Sequence, residues 1–293
     1  MSTASIAAKA VLKLEPEDYR ILETIENQTQ KYQYLPIEII SNTTSIHFQT
    51  AKHHLKLLQK KKLLSYQSQP YEGYRLTTAA HDTLALKELV DKNIIEKFGK
   101  PLGVGKESDV YDALAPGGAQ VAVKIHRLGR TSFREVRRKR GYTAQHSDTP
   151  NWHKQSVVAA RKEHIALKLL APYGMVAPGP IARSRHILVM SMIEGAELYR
   201  YPAISNLKVV MREILDNIRL AYQRAKIIHA DLSPYNIILQ PNQHILIIDW
   251  PQYIRIDHPN AKSLLERDLK NVLDFFKRRQ KLAVEKALAY VMT

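Results

Sequence analysis

The chain has 293 residues, of which 45% are hydrophobic; this excludes a disordered chain and allows about two ordinary domains. Its 44 lysines and arginines against 28 acidic residues give a net charge of +16, which favours nucleic acid as a partner. The absence of cysteine excludes disulfides and thiolate metal sites. The N-terminal residues do not resemble a signal peptide, and no apolar run is long enough to span a membrane. We therefore expect a cytoplasmic protein without a membrane partner.

Residues 14–90 carry the pattern of a winged helix-turn-helix. Periodicity predicts helices over residues 14–27, 35–41 and 47–64, and strand-like runs over residues 64–67 and 74–77 enclose a turn. Three helices followed by a hairpin is the order of that fold, and residues 47–64 would form its recognition helix. The candidates for nucleic-acid contact on this helix are His53, His54, Lys56, Lys60 and Lys61. The alternative is a helical packing module that never touches nucleic acid.

A predicted linking helix at residues 83–98 leads into alternating strand-like and helix-like segments, which indicate a mixed helix and sheet domain. The first motif of this domain is a glycine-rich run, Gly103-Val104-Gly105-Lys106-Glu107-Ser108-Asp109-Val110-Tyr111. Glycines let a backbone approach phosphate oxygens closely, so that its N–H groups can bind them. The run is not a Walker motif, and Ser108 stands where the glycine-rich loop of protein kinases has its third glycine.

A single lysine, Lys124, interrupts the apolar strand at residues 121–125. An inward charge on such a strand needs a partner. In kinases a lysine at this place holds the α and β phosphates and pairs with a glutamate on a helix. Glu163, in the helix predicted over residues 155–170, is the candidate partner.

Two further motifs follow in the order found in kinases. His229-Ala230-Asp231-Leu232-Ser233-Pro234-Tyr235-Asn236 places a carboxylate five residues before an amide, as a kinase catalytic loop does. Asp249 then follows an apolar strand, where a kinase places its Mg²⁺-binding aspartate. An aspartate that merely caps a turn is the alternative at this position. The four motifs in this order predict a phosphotransferase.

These motifs resemble those of the RIO kinases, and within them the winged-helix subfamily, the second type. Residues 124–134, His258-Pro259-Asn260-Ala261, Arg267-Asp268 and Phe275-Phe276 are also similar to that subfamily. The resemblance implies an α+β chain: a winged helix-turn-helix over residues 1–82 and the linking helix, then a compact two-lobed kinase-like RIO domain with lobes at residues 99–190 and 191–293. Pro234, Ser191 and Trp250 depart from the usual residues of the subfamily, and none of them removes a reacting group.

The resemblance also implies the site. Asp231 is the expected catalytic carboxylate, Lys124 the phosphate ligand, and Asn236 and Asp249 the ligands of Mg²⁺, or of Mn²⁺ in its place; Asp249 would also accept the phosphoryl group. The expected ATP-binding residues are Gly103, Val104, Gly105, Lys106, Glu107, Ser108, Val110, Ala122, Lys124, Glu163, Met190, Ser191, Ile193, Ile238 and Ile248. Backbone groups of Ser191 and Ile193 would meet adenine, with Met190 and Ile238 beside it.

The implied function is that of an atypical serine/threonine kinase or ATPase in maturation of the small ribosomal subunit, with pre-ribosomal RNA and proteins as partners. An archaeal source would suit the short form. Only 44 residues follow Asp249 and no Ala-Pro-Glu segment is present, so we expect no peptide-docking groove. ATP hydrolysis used as a switch is then an alternative to protein phosphorylation.

A dense basic stretch follows Lys124. Within it, Arg137, Arg138 and Arg140 are candidates for RNA contact, and Ser132 is the predicted site of autophosphorylation. Two other function classes remain open: a small-molecule kinase of the aminoglycoside or choline type, and a nucleic-acid-binding regulator whose kinase domain only senses nucleotide. The first explains neither the basic stretch nor the front module. The second would leave the set of Lys124, Asp231, Asn236 and Asp249 without a use.

Overall fold

The computed structural model describes residues 2–128, 152–174, 177–201, 206–277 and 282–293. The chain divides into two compact units, Met1–Phe98 and Gly99–Thr293. Ser132, Arg137, Arg138 and Arg140 lie outside the described residues. In the part that is described, no helix combines the length and the apolar character that crossing a bilayer demands.

The first unit has the winged helix-turn-helix order that the sequence predicted. Its elements are α1 (Thr3–Val11), α2 (Pro16–Gln28), α3 (Ile37–Thr44), α4 (Phe48–Lys60), β1 (Leu64–Gln67), β2 (Gly73–Leu76) and α5 (Thr78–Asp91). The two strands form an antiparallel hairpin with Leu64 opposite Leu76. Apolar residues from every helix fill one core, among them Ile21, Leu22, Leu55 and Leu58.

Two elements of this unit differ from the sequence-based expectation. Helix α1 was not predicted, because only small alanines form its buried face: Ala4, Ala7 and Ala10. The helix expected at residues 83–98 is α5, which starts earlier because the Thr77 side chain accepts a hydrogen bond from Ala80 N. It ends near Asn93, whose φ of 53° does not continue a helix, and Phe98 lies in the next strand.

The second unit opens with an antiparallel five-stranded sheet. Its strands are β3 (Lys97–Val104), β4 (Ser108–Leu114), β5 (Gln120–His126), β6 (Pro180–Ser184) and β7 (Ile187–Ser191), in the spatial order β3-β4-β5-β7-β6. Val110 stands opposite Lys124, which in turn stands opposite Leu188. Helix α6 (Trp152–Leu170) contacts β5, β6 and β7. This is the arrangement of a kinase N-lobe.

The rest of the unit is mainly helical. Its helices are α7 (Leu207–Gln223), α8 (Ala261–Phe276) and α9 (Val284–Met292), and its short strands are β8 (Ala196–Glu197), β9 (Ile227–Ile228), β10 (Ile237–Leu239), β11 (Ile245–Ile247) and β12 (Ile254–Arg255). β10 pairs with both β8 and β11, and β9 pairs with β12. Trp250 and Phe276 are fully buried in its core. The loops between these strands carry the motifs described next.

Candidate active site

Lys124 is the centre of a buried charge network. Its Nζ lies 2.7 Å from Glu163 Oε1 and 2.8 Å from Asp249 Oδ1. Strand β5 supplies the lysine and α6 supplies the glutamate, and these two residues are 5% and 1% exposed. An unpaired charge at that depth would be strongly unfavourable. Glu163 therefore supplies the partner that a lysine in an apolar strand requires.

The network fixes the ionisation of its members. Burial alone would lower the pKa of Lys124, but the carboxylates of Asp249 and Glu163 raise that pKa above its usual range. Burial alone would raise the pKa of Glu163, but the Lys124 ammonium, with His126, holds it well below its usual range. Both side chains are therefore charged at neutral pH. A charged ammonium is what phosphate oxygens require.

The catalytic loop connects β9 to β10. Asn236 ends a short 3-10 turn, Pro234–Asn236, and its Nδ2 donates a hydrogen bond to Asp231 O at 2.9 Å. This bond uses the amide nitrogen and leaves the oxygen, Oδ1, as the atom for a metal ion. Asp231 itself is exposed, as a group that meets a substrate hydroxyl needs to be.

Helix α8 forms hydrogen bonds with the backbone on both sides of Asp231. Asp268 accepts a hydrogen bond from Ala230 N at 2.7 Å and another from Leu232 N at 3.0 Å. Asn271 Nδ2 donates to Leu232 O at 3.1 Å, and the Arg267 guanidinium donates to Ala230 O. Ala230 has a φ of 63°, which is strained for a residue with a side chain, and these bonds hold it there.

Burial raises the pKa of Asp268 to about 6, even though its two backbone hydrogen bonds favour the ionised form. The family resemblance includes Arg267 and Asp268 without implying a role for either residue. An acidic residue at the centre of an apolar helix face was the available signal, because such a residue needs donors and the helix itself offers none.

His229 joins the catalytic loop to the strand that precedes Asp249. Its Nε2 donates to Ile248 O at 2.9 Å, and its ring lies 4.6 Å from the ring of Trp250, centre to centre. Burial lowers the pKa of His229, so the imidazole is neutral and acts as a hydrogen-bond donor. Ile248 N also donates to Asn236 O at 2.9 Å, so the two segments that carry Asn236 and Asp249 are tied directly together.

Asp249 sits in a strained turn at the end of β11. Its φ is 67°, and its side chain is 42% exposed while that of Lys124 is 6% exposed. Backbone strain of this kind persists where the surroundings fix it, often at reacting sites. The Asp249 carboxylate and the free amide oxygen of Asn236 are hard oxygen donors, which suits Mg²⁺. The residues present therefore fit the metal that the family resemblance implied.

The glycine-rich run joins β3 to β4. Gly105 N donates to Ser108 O at 2.8 Å, which closes the turn. A Cβ at Gly103 would meet no other atom among the described residues, so the glycine leaves open space instead of serving internal packing. Val104, Lys106 and Glu107 are exposed in this loop. Open space beside exposed backbone suits a phosphate chain.

The residues expected around adenine lie on neighbouring strands. Ala122 stands opposite Met190 across β5 and β7, and both are buried. Ser191 N donates to Gly179 O at 2.8 Å, and Ser191 Oγ accepts from Gly179 N at 2.8 Å, so these two groups of Ser191 are taken up by Gly179. The other expected neighbours are partly buried: Val110, Ile193, Ile238 and Ile248.

The candidates on α4 do not share one environment. His54 is 8% exposed and its Nδ1 lies 2.8 Å from Asp18 Oδ1, so it belongs to the core and its assignment as a nucleic-acid contact is wrong. Its position one turn before Leu58 on the apolar face explains the burial. His53, Lys56 and Lys60 are exposed, and Lys61 is partly buried.

Comparison with known proteins identifies both units. A family model described as the Rio2 N-terminal domain matches residues 11–92, and a RIO domain model matches residues 109–288. The serine/threonine-protein kinase rio2 of Schizosaccharomyces pombe is 35% identical over 92% of this chain and 78% of its own. The RIO-type kinase Rio2 of Methanocaldococcus jannaschii is 32% identical over 89% of this chain and 98% of its own.

The chain spans 52% of the length of the Dictyostelium discoideum rio2 kinase, so some relatives extend well beyond it. Among solved structures, the ADP/Mg²⁺-phosphoaspartate complex of the Rio2 kinase from Chaetomium thermophilum matches with a TM-score of 0.81 and 30% identity, over 97% of this chain and 88% of that one. These matches confirm the family resemblance and favour a kinase over the small-molecule kinase and the nucleotide sensor. The chain belongs to the RIO family of serine/threonine-protein kinases, in its Rio2 branch.

Proposed function

We propose that this chain uses ATP and Mg²⁺ to transfer a phosphoryl group through Lys124, Asp231, Asn236 and Asp249, and that it does so during maturation of the small ribosomal subunit. The observation that carries the reaction is the placement of Lys124 Nζ between Glu163 and Asp249. An ammonium held by two carboxylates is kept charged and oriented for phosphate oxygens.

Each residue has a part that follows from its position. Lys124 binds the α and β phosphates, and the open glycine-rich loop supplies backbone donors to the remaining oxygens. Asp231 orients the attacking hydroxyl, whether of a protein acceptor or of the water that ends the cycle, and takes its proton. Mg²⁺, held by Asn236 and Asp249, would neutralise charge on the phosphates. Mn²⁺ could take the same oxygen ligands.

The exposed carboxylate of Asp249 is also the proposed acceptor of the γ-phosphoryl group. In that step a carboxylate oxygen forms a bond to phosphorus as the bond to the β-phosphate oxygen breaks, and ADP leaves. Water then hydrolyses the acyl phosphate, which releases inorganic phosphate and regenerates the Asp249 carboxylate. The related Chaetomium structure carries a phosphoaspartate with ADP and Mg²⁺, which supports this order of events. Such a cycle would make ATP hydrolysis the working reaction.

Ribosomal RNA of the pre-ribosomal small subunit is the proposed partner, and the cytoplasm the proposed location. The net charge of +16 supports a polyanionic partner, and His53, Lys56 and Lys60 are exposed on α4 for this purpose. Lys61, Arg137, Arg138 and Arg140 are further proposed contacts, and Ser132 is the proposed site of autophosphorylation.

The test is ATP turnover with labelled γ-phosphate, with and without purified small ribosomal particles. Wild type is compared with Asp231→Ala and Asp249→Asn, and circular dichroism checks that the variants fold. We expect turnover that needs both aspartates and that changes when particles are added. Turnover that is indifferent to the particles would contradict the ribosomal role, and turnover that survives either substitution would contradict the assigned site. Mass mapping after incubation with ATP and Mg²⁺ tests Ser132 in the same samples.

A further inference from the structure

Glu163 has a second buried partner besides Lys124. His126 Nε2 lies 3.0 Å from Glu163 Oε2, and these side chains are 3% and 2% exposed. Neither atom has a hydrogen bond of regular geometry among the described residues, so the two buried atoms meet as a short polar contact. A ring nitrogen with a bare lone pair at this distance from a carboxylate would be repelled, so Nε2 carries a proton, and its partial positive charge attracts Oε2.

The contact follows from the geometry of β5. Side chains two residues apart on a strand lie on the same face, so Lys124 and His126 both point towards α6 and the one carboxylate that it presents. The two oxygens of Glu163 are then divided. Oε1 receives Lys124 Nζ at 2.7 Å and Trp250 N at 3.3 Å, and Oε2 faces His126.

This division matters because a carboxylate can rotate about its last bond. With only Lys124 as a partner, either oxygen of Glu163 could meet the ammonium, and the lysine could follow the carboxylate over a range of positions. With Oε2 occupied by His126, only Oε1 is directed at Lys124, and the backbone N–H beside Asp249 shares that same oxygen. The ring therefore restricts where the ammonium sits relative to Asp249.

We propose that His126 is a positioning residue of the phosphate site, which acts by holding Glu163 so that Lys124 is presented to ATP. It makes no contact with substrate itself. The inference rests on the proposed role of Lys124 in phosphate binding, and its effect should appear mainly in KM for ATP, since α8, and not His126, holds the backbone on both sides of Asp231.

Three substitutions at His126 separate positioning from packing. His126→Gln keeps an N–H donor at about the reach of Nε2, His126→Leu keeps the bulk without a donor, and His126→Asn keeps a donor that is too short to reach. We expect Leu and Asn to raise KM for ATP about tenfold, the scale of a lost polar contact to a buried charge, and Gln to remain within about threefold of wild type. Should His126→Leu not fold, as judged by circular dichroism, Asn and Gln still give opposite expectations.

A double-mutant cycle with Glu163→Gln then tests the route of the effect. If His126 acts through the carboxylate, the loss caused by His126→Asn should shrink to about twofold or less once the carboxylate is gone. Equal losses in both backgrounds, or a His126→Gln variant as impaired as Asn, would overturn the proposal. Lys124→Ala serves as the reference: if it leaves KM for ATP unchanged, the proposed phosphate site is wrong, whereas a large effect of Lys124→Ala with none at His126 rejects this inference alone.

Discussion

At the scale of single residues, Asp268 is the clearest case of a group that matters without touching substrate. It accepts hydrogen bonds from the peptide nitrogens on both sides of Asp231 while remaining 1% exposed. An asparagine in its place could accept only one of these two hydrogen bonds, through its amide oxygen. Its amide nitrogen cannot accept a hydrogen bond from a backbone N–H. The position of Asp231 therefore depends on a residue that lies outside the motifs.

The first prediction concerns the rate of reaction. Asp268→Asn should lower kcat for ATP turnover about 10- to 100-fold, because one of the two bonds is lost and the strained Ala230 backbone relaxes. KM for ATP should change little, since Lys124 and the glycine-rich loop are untouched. Steady-state kinetics measures both quantities. Asp274→Asn, on the same helix but exposed, is the matched control; an effect on KM with kcat preserved would contradict the assigned role.

The second prediction concerns stability against pH. The folded-state pKa of Asp268 is about 6, above its ordinary value of 3.8. Between these values the folded chain binds a proton that the unfolded chain has released, so the contribution of Asp268 to stability is present at pH 4 and lost as pH rises through 6. We expect the free energy of unfolding of wild type, minus that of Asp268→Asn, to fall by up to about 3 kcal/mol as the pH rises from 4 to 7. Urea unfolding of both proteins across this range measures it. A difference that rises with pH would contradict it.

At the scale of elements, the motifs and the winged-helix order were predictable because they are encoded in local spacing. Asp231 and Asn236 are five residues apart whatever surrounds them. The strand that carries Lys124 was also predictable, from the apolar run that flanks it. Helix α1 and the true span of α5 were not, because α1 buries only alanines and α5 is set by the cap at Thr77 and the turn at Asn93.

The hydrogen bonds between α8 and the catalytic loop could not be predicted from local spacing either, since Ala230 and Asp268 are 38 residues apart. His54 shows the opposite failure. Its residue type suggested a surface role, but the position of its neighbours on the apolar face placed it in the core. Pairing with Asp18, 36 residues away, could not be inferred from the helix alone.

The third prediction belongs to the junction before β8. Gly195 has a φ of 133°, and a Cβ there would lie 2.4 Å from Leu239 O. Gly117 also has a positive φ, 85°, but a Cβ there would meet nothing within 4 Å. Both alanine variants suffer backbone strain, and only Gly195→Ala adds a clash with a backbone carbonyl, so Gly195→Ala should lose about 1–3 kcal/mol more of the free energy of unfolding. Urea unfolding measures both losses of stability. Equal losses would mean that the backbone near Gly195 shifts enough to relieve the clash.

At the scale of the whole molecule, the charge of +16 predicts how RNA binding should respond to salt. Each phosphate that the protein neutralises releases counterions, so affinity for small-subunit ribosomal RNA should fall at least tenfold between about 50 and 200 mM salt. Filter binding or fluorescence anisotropy measures the slope. Affinity that is insensitive to salt would show that phosphate contacts do not dominate.

The fifth prediction locates that binding within the first unit. Lys56→Glu with Lys60→Glu should weaken RNA binding about tenfold more than Lys87→Glu with Lys92→Glu. The two double variants change net charge equally, and the control lysines lie at the α5 end, paired with Asp91 and Glu88. Anisotropy titrations at one salt concentration compare them. Equal effects would indicate that RNA responds to the overall positive charge of the protein and that α4 has no specific role.

The hydrogen bonds from α8 also set a limit on how short this enzyme can be. A fragment ending at Asp257 would retain the glycine-rich loop, Lys124, the catalytic loop and Asp249, and would still be recognised as a kinase by its motifs. It would lack the carboxylate that holds Ala230 and Leu232 in place. Gene fragments and engineered minimal domains cut at that point lose buried residues of α8 together with these bonds and should be inactive, so the boundary of a working catalytic module here lies at or beyond residue 271.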